Sequence, residues 1–563
     1  MKVLGVNAVY HETSAALVVD GEVVAAVEEE RFNRRKHGAE ARVDNADELP
    51  LESIRYCLGA AGVTAAELDA VCYSFDPAAR RRRNQLDPYA VPGSWGSLDG
   101  EAAFLAGLGR VERALSDALG EPVGDRLRWV PHHLAHAASS YYASPFDEAA
   151  ILVADGIGEY DSTLLAYGSG GRITPVRTFS FPDSLGFLWE RLSAFLGFSE
   201  YDACKVMGLA GYGDPRRYED LMAKIVRVEP GAFAVDDNIT QFRQPVSEEL
   251  ARLFGPLPSR IGRVHEDVAA ALQHATNEIV LSLARSLYDA RPTRGLCLAG
   301  GVALNCTANW VLKENGPHEE VYVPSAPHDA GTAVGAALHE YHRVRPRDAV
   351  RVRAGASPYT GPEFGDAEVL AAVERHGLTA ARLDDAPAEA ARRIAAGEVV
   401  GWFQGRMEFG PRALGNRSLL ADPRDPYMRD KLNVKVKHRE PFRPFAPSVL
   451  AERAAEWLEL GRPSDSYEYM LYACPVREEV ADRIPAVLHV DGTARVQLVT
   501  AGSNARYHAL ISAFHALTGV PVVLNTSFND SEPIVCTPDD AIATFLKTDI
   551  DALFLGDHLV TKR

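Results

Sequence analysis

The chain has 563 residues, 47% of them hydrophobic and 24% charged, with a formal net charge of -18. That balance excludes a disordered polymer, and the length asks for more than one hydrophobic core. The acidic field weighs against tRNA or DNA as the main substrate, while a small anion can still be held by a few converging Arg and Lys side chains.

Residues 2–7 and 15–19 are apolar and β-prone, Asp20-Gly21 is a hairpin turn, and residues 22–27 return as a third strand. Residues 51–61 read as a helix, 65–68 as a helix start and 70–74 as a strand. Residues 77–100 are rich in Arg, Pro and Gly without a period and read as a loop or insertion. A short strand at 128–130 leads through Pro131 into a helix over 132–143. Residues 149–154 form a buried-type strand ending at Asp155-Gly156, and a hairpin follows through 162–167 and 173–179. A long helix covers 266–289. The strand 295–298 runs into Gly300-Gly301 and a helix over 302–314, followed by a strand at 320–323 and an Ala-rich helix at 332–344. The Arg-, Pro- and Gly-rich stretch 345–364 marks the domain boundary. Beyond it come helices at 366–376 and 386–396, a strand at 399–404, a Gly/Pro/Arg loop and a strand at 522–524. The hairpin-plus-helix units near residues 1 and 150 form an internal repeat, which fits a duplicated α/β architecture.

No apolar run reaches the length of a membrane span, and the first residues open a strand rather than a signal peptide. The seven cysteines (Cys57, Cys72, Cys204, Cys297, Cys306, Cys474, Cys536) include no CxxC pair, as expected of reduced thiols. A cytoplasmic protein is expected, with no membrane or nucleic-acid partner; a homodimer is left open.

His132 and His136 are one helical turn apart, so both imidazoles can face one ion. Taken alone, that spacing is more often met in ordinary packed histidines. HExxH is absent. Asp155 closes an apolar strand beside glycines, where a carboxylate can meet a metal or phosphate; taken alone it reads more readily as a turn residue. Asp329 precedes a helix and reads equally as an N-cap. Gly300, Gly301 and Asn305 open a helix after a strand, where backbone N–H groups can approach a nucleotide; neither a Walker loop nor GxGxxG is present, and the pattern reads equally as a plain helix-start glycine pair. Arg406, Arg412, Arg417, Lys437, Arg439 and Arg443 sit among Gly405, Gly410, Pro411 and Pro444, beside Phe409, Phe442 and Phe445. Guanidinium forks set in such loops suit phosphate recognition, against the alternative of scattered surface arginines.

In order, His132-His133-Leu134-Ala135-His136-Ala137, Val153-Ala154-Asp155-Gly156, Leu298 to Asn305, Asp329-Ala330-Gly331, Gly410 to Ser418, Arg439 to Ser448 and Leu524 to Asn529 resemble the nodulation- and antibiotic-type O-carbamoyltransferases. These include the enzymes that carbamoylate tobramycin and cephamycin precursors. The segment Glu28 to His37 is similar to the same family. The resemblance implies an α/β fold in two parts. Residues 1–350 would form an actin/Hsp70/sugar-kinase-like duplicated domain that binds metal and ATP and transfers the carbamoyl group. Residues 360–563 would form a YrdC-like domain that activates carbamoyl phosphate. It further implies His132, His136, Asp155 and Asp329 as ligands to Fe(II) or another divalent metal, and ATP with Mg2+ and carbamoyl phosphate as co-substrates. Gly156, Lys205, Gly300, Gly301 and Asn305 fall on the nucleotide side, and Arg406, Arg412, Arg417, Lys437, Arg443, Asn525 and Ser527 on the carbamoyl-phosphate side. His11 and Lys36 are candidates for the acceptor or carbonyl side, with His11 as general base; its plain alternative is a turn histidine.

The implied chemistry is consistent. Nitrogen donation dulls the carbonyl of carbamoyl phosphate, and exchanging phosphate for AMP keeps a good leaving group and adds a handle for binding. The expected acceptor is the hydroxyl of a small molecule, from aminoglycosides to β-lactams, macrolides, ansamycins or sugars, with residues 77–100 as candidate pocket lining. Two rivals share the domain types: a tRNA threonylcarbamoyl transferase, and a hydrogenase-maturation carbamoyltransferase, whose paired CxxC fingers are missing here. A third reading is an Hsp70-like ATP-gated module without transferase chemistry.

Overall fold

The structure is a computed structural model that describes residues 1–83, 86–345 and 357–562. It forms two compact units: Met1–Asn33 with His37–Ala356, and Arg34–Lys36 with Ser357–Arg563. Most of the boundary stretch expected at 345–364 lies outside the described residues.

The first unit holds two five-stranded sheets. One contains β1 (Lys2–Asn7), β2 (Ser14–Val19), β3 (Glu22–Glu28), β4 (Ala70–Tyr73) and β5 (Leu127–Trp129), ordered β3-β2-β1-β4-β5. The other contains β6 (Glu148–Ala154), β7 (Asp161–Ser169) and β8 (Arg172–Ser180). After a separate hairpin of β9 (Val226–Glu229) and β10 (Ala232–Val235), it is completed by β11 (Gly295–Ala299) and β12 (Glu320–Tyr322), ordered β8-β7-β6-β11-β12. Each sheet starts with an antiparallel three-strand meander and adds two parallel strands on the far side of its first strand. The repeat is therefore topological, and it is the duplicated actin/Hsp70/sugar-kinase arrangement. β1, β6 and β11 are apolar and buried almost throughout, as strands covered on both faces must be.

Two helices fill the space beside these sheets, His132–Tyr141 and Ala330–Val344. Glycine lets them approach. A Cβ on Gly335 would stand 1.8 Å from the carbonyl oxygen of Ala135, and one on Gly5 of β1 would stand 1.9 Å from that of Ala333. No side chain fits at either point, so backbone packs on backbone. The N-terminus of the second helix, where Asp329 sits, is thereby brought beside His132 and His136.

Two local expectations change. The segment 77–100 is partly helical: Pro77–Arg82 is capped by Asp76, whose carboxylate accepts from Ala78 N, and Ser97 caps Leu98–Leu108. Positions 84 and 85 lie outside the described residues. The helix expected over 302–314 is broken. Gly301–Leu304 is a 3-10 turn, and a new helix, Cys306–Asn315, starts at Asn305, whose side-chain oxygen accepts from Ala308 N.

The second unit is built on one mixed eight-stranded sheet. Its strands are β13 (Ala380–Arg382), β14 (Val400–Phe403), β15 (Arg417–Ala421) and β16 (Ala446–Leu450), then, past a small pair of β17 (Ala473–Pro475) and β18 (Thr493–Arg495), β19 (Gln497–Val499), β20 (Val522–Ser527), β21 (Ala552–Leu555) and β22 (His558–Thr561). The order is β13-β22-β21-β14-β15-β20-β16-β19. Sequence periodicity had indicated only β14 and β20. β15 begins inside the predicted Gly/Pro/Arg loop, since Arg417 and Ser418 pair with Phe403 and Trp402. Among the described residues no helix is long and apolar enough to cross a membrane.

Candidate metal and nucleotide site

His132 and His136 project from one face of their helix, Asp155 follows β6 immediately, and Asp329 stands at the head of the helix Ala330–Val344. All four are buried, at 0%, 0%, 6% and 3% exposure. His132 Nε2 lies 3.3 Å from Asp155 Oδ2 and 3.5 Å from Asp329 Oδ1, and His136 Nε2 lies 3.4 and 3.3 Å from the same two oxygens. One ligand atom from each residue falls within 4.8 Å of all the others. Asp329 has the position of an N-cap but makes no capping bond with its side chain.

The surrounding bonds orient this group. His132 Nδ1 faces the Ser74 carbonyl at 3.3 Å. A carbonyl only accepts, so Nδ1 carries the hydrogen and Nε2 is turned toward the carboxylates. Gly301 N donates to Asp155 Oδ1 at 2.8 Å, and Gly300 N donates to Pro327 O at 2.8 Å, which ties the end of β11 to both acidic loops. Gly300 has φ +89°, and a Cβ there would stand 2.1 Å from Ala154 O. The glycine pair thus has a structural duty in holding Asp155, beyond any approach to a nucleotide.

Burial opposes charge on both imidazoles, yet Asp329 and Asp155 together hold His132 well above the usual imidazole range, and they raise His136 as well. Burial likewise works against the carboxylates, but the two histidines hold Asp155 well below its ordinary value and Asp329 below it too. Both ring nitrogens of His136 are buried without a hydrogen bond. Four ionisable groups in so small a buried volume require protons or a cation between them. Two imidazoles and two carboxylates fit a divalent first-row metal. Neighbouring His133 is pushed down to about 3 by burial and by the adjacent His132, and stays neutral.

Among the other predicted residues, Gly156 follows Asp155, and a Cβ there would come within 3.7 Å of Glu190 Oε1. Glu190, which sequence reasoning missed, is pushed up to about 8 by burial, with Glu200, Asp155 and Asp329 adding to the rise. Lys205 lies in the helix Ala203–Ala210 and pairs with Asp202 at 3.1 Å. Asn305 is engaged as a helix cap, and its Nδ2 donates to Gln273 at 2.9 Å. His11 stands with its ring 5.9 Å from that of His37 and 5.7 Å from that of Tyr201. Lys36 is exposed, and the segment Arg34–Lys36 groups with the second unit rather than with His11.

In the second unit, Lys437 and Ser527 meet. Lys437 Nζ donates to Ser527 O at 2.5 Å and Ser527 Oγ at 3.2 Å, and to Asn529 Oδ1 at 2.7 Å. Burial, and then Arg439 and Arg443, hold its ammonium well below the usual lysine range. Arg443 pairs with Glu440 at 3.7 Å. Arg412 has a buried Nε without a hydrogen bond. Arg406 donates to Thr360 O at 2.6 Å and Gly361 O at 3.3 Å. Arg417 differs from the expected anion-facing fork. It is fully buried, lies 3.7 Å over the Phe403 ring, and donates to the carbonyls of Gln404, Gly405, Asn416, Pro362 and Cys536. Asn525 also faces protein, donating to Ala413 O, Ser448 Oγ and Gln497 Oε1. Both side chains brace the loop that carries the other cations.

The chain matches a profile described as carbamoyltransferase N-terminus over residues 2–338 and one described as carbamoyltransferase C-terminus over 391–562. It is 41% identical over 570 residues to the nodulation protein NolNO of Sinorhizobium fredii, covering 99% of this chain and 80% of that one. A Synechocystis protein, sll1178, is 38% identical over 619 residues, covering 100% and 96%. A solved structure, component A of the (R)-2-hydroxyglutaryl-CoA dehydratase of Acidaminococcus fermentans, overlaps 61% of this chain and 99% of its own at 15% identity and a TM-score of 0.33.

Proposed function

Because this chain belongs to the carbamoyltransferase family, we propose that it moves a carbamoyl group from carbamoyl phosphate to a hydroxyl of a small-molecule natural product, at the expense of ATP with Mg2+. The observation that carries the reading is the buried group of His132, His136, Asp155 and Asp329.

In this reading water cleaves carbamoyl phosphate to phosphate and carbamate in the second unit, and a carbamate oxygen then bonds to the α-phosphorus of ATP as the bond to pyrophosphate breaks, giving the carbamoyl adenylate. Arg406, Arg412, Arg443 and Lys437, with Ser527, bind the anionic oxygens. The first unit takes the carbamoyl adenylate beside Gly156, Lys205, Gly300 and Gly301. There the acceptor oxygen forms its bond to the carbamoyl carbon as the bond to AMP breaks. A divalent ion, Fe(II) or another, held by His132, His136, Asp155 and Asp329 would supply Lewis-acid polarisation. The Ser74 carbonyl fixes the His132 tautomer, the Gly301 N–H fixes the Asp155 carboxylate, and neutral His133 adds no competing charge. Burial of the group keeps bulk water from an intermediate that hydrolyses readily. In this reading His11 stands on the acceptor or carbonyl side of the first unit. A nucleic-acid acceptor is disfavoured by the net charge of -18.

The test is mass spectrometry of a hydroxylated natural-product library after incubation with the protein, ATP and carbamoyl phosphate. The expected result is a carbamoylated product together with pyrophosphate. Pyrophosphate release without any carbamoylated small molecule, or carbamoyl-phosphate-independent ATP turnover, would overturn the acceptor class or the reaction respectively.

A further inference from the structure

A second group of ligating side chains lies outside the buried four-residue site. His11 and Glu12 belong to the loop after β1, and His37 follows β3 and a short helix, Glu30–Asn33. One ligand atom from each falls within 4.8 Å of the other two. Asn7, fully buried at the end of β1, donates from Nδ2 to the carbonyls of His11 and Glu12 at 3.2 Å each, and Thr13 N donates to His37 O at 3.1 Å. Those bonds pin the two loops together. Tyr10, Glu12 and His37 all have left-handed backbones, with φ of 62°, 59° and 65°. Non-glycine residues adopt that conformation only at a cost in strain, and such positions gather where a side chain must be aimed.

Glu12 is the centre of the group. Its Oε1 lies 2.6 Å from His37 Nδ1, and its Oε2 faces His328 Nε2 at 3.9 Å. His11 Nδ1 and His328 Nδ1 are both buried without a hydrogen bond, and His328 is 5% exposed. Three imidazoles around one carboxylate, two of them with an unsatisfied ring nitrogen, exceed what a single histidine–carboxylate pair needs. Unlike the four-residue site, the three residues are only partly buried, so water or a hydroxyl can complete a coordination shell.

We propose that His11, Glu12 and His37 form a second divalent-cation site, with His328 at its edge, selective for a borderline transition ion such as Zn2+, Co2+ or Fe2+ over Mg2+. Two imidazoles and one carboxylate with open positions are the donor set such ions take, whereas Mg2+ prefers oxygen and keeps its waters. The site recasts His11 as a ligand rather than a free base. It does not depend on the transfer reaction.

The experiment counts metal. The full chain is stripped with a chelator, reconstituted with Co2+, desalted and assayed by inductively coupled plasma mass spectrometry, with the visible Co2+ spectrum as a second readout. The wild type is expected to hold two equivalents. His37→Gln and Glu12→Gln are each expected to lose one of them, and a His132→Ala/His136→Ala double variant to lose the other. Circular dichroism and the melting temperature confirm that each variant is folded. A count of one in the wild type that His37→Gln leaves unchanged would overturn the second site. A count that the double variant leaves unchanged would instead sink the buried metal site and leave this one standing.

Discussion

Gly301 and Asp155 stand 146 positions apart in the chain, yet the Gly301 N–H donates to Asp155 Oδ1 at 2.8 Å. Parallel pairing of β6 with β11 makes this possible, because both strands end at the same level, Ala299 opposite Val153. The carboxylate is held from the backbone, so it can face His132 and His136 with its other oxygen.

Gly300 should be the most sensitive position in that arrangement. Its φ of +89° and the 2.1 Å approach to Ala154 O leave no room for a Cβ. Gly300→Ala is expected to cost about 2–4 kcal/mol, read from urea unfolding, and to lower metal content. Gly301→Ala, whose Cβ would meet Asp155 Oδ1 at 3.1 Å, should disturb the metal more than the fold.

The two half-reactions should separate by mutation. His136→Ala removes a buried member of the four-residue group and is expected to weaken metal binding beyond the ~10–100-fold seen on losing an outer-shell contact. It should stop carbamoyl transfer and spare part of the pyrophosphate release. Arg443→Ala should abolish carbamoyl-phosphate-dependent pyrophosphate release. If both variants lost metal and pyrophosphate release to the same degree, the division of labour between the units would be wrong.

Glu190 predicts a pH effect. Its pKa is pushed up to about 8 in the fold, above that of an ordinary carboxyl in the unfolded chain. Between those values the native state binds the extra proton, so its contribution is complete at low pH and is lost as pH rises toward 8. The wild type should therefore lose more stability than Glu190→Gln between about pH 6 and about pH 9, by on the order of 1 kcal/mol or more in urea titrations. Equal slopes for the two proteins would refute the shift.

Arg80 and Glu101 form a buried ion pair linking the helix Pro77–Arg82 to the helix Leu98–Leu108. Arg80 also donates to Glu159 O at 2.8 Å, and Glu159 Oε1 accepts from His132 N at 2.9 Å. Arg80→Ala leaves the Glu101 carboxyl group buried without its partner, and is expected to cost about 3–5 kcal/mol. Replacing both partners with apolar residues of similar volume should recover much of that loss in the same unfolding assay.

The sequence by itself determined what is local. The 3.6-residue period placed His132 and His136 on one helix face, apolar runs marked β1, β6 and β11, and repeated hairpins marked the duplication. The strand that stops at Asp155 was legible, but the carboxylate itself read as a turn residue until the ordered motifs were taken together. What only the tertiary structure decided is non-local. As a string, Asp329 has the context of an N-cap, and only the close approach of two helices at Gly335 turns it toward the histidines. Arg417 sits in the same Gly/Pro/Arg stretch as Arg412, yet its guanidinium is directed at backbone carbonyls from three separate segments. Residue type and spacing cannot distinguish the two, because a guanidinium fork fits a carbonyl cage and an anion with the same donors. Glu12 and His37 escaped notice for the related reason that their meeting depends on two left-handed loops, which leave no periodic signal in the chain.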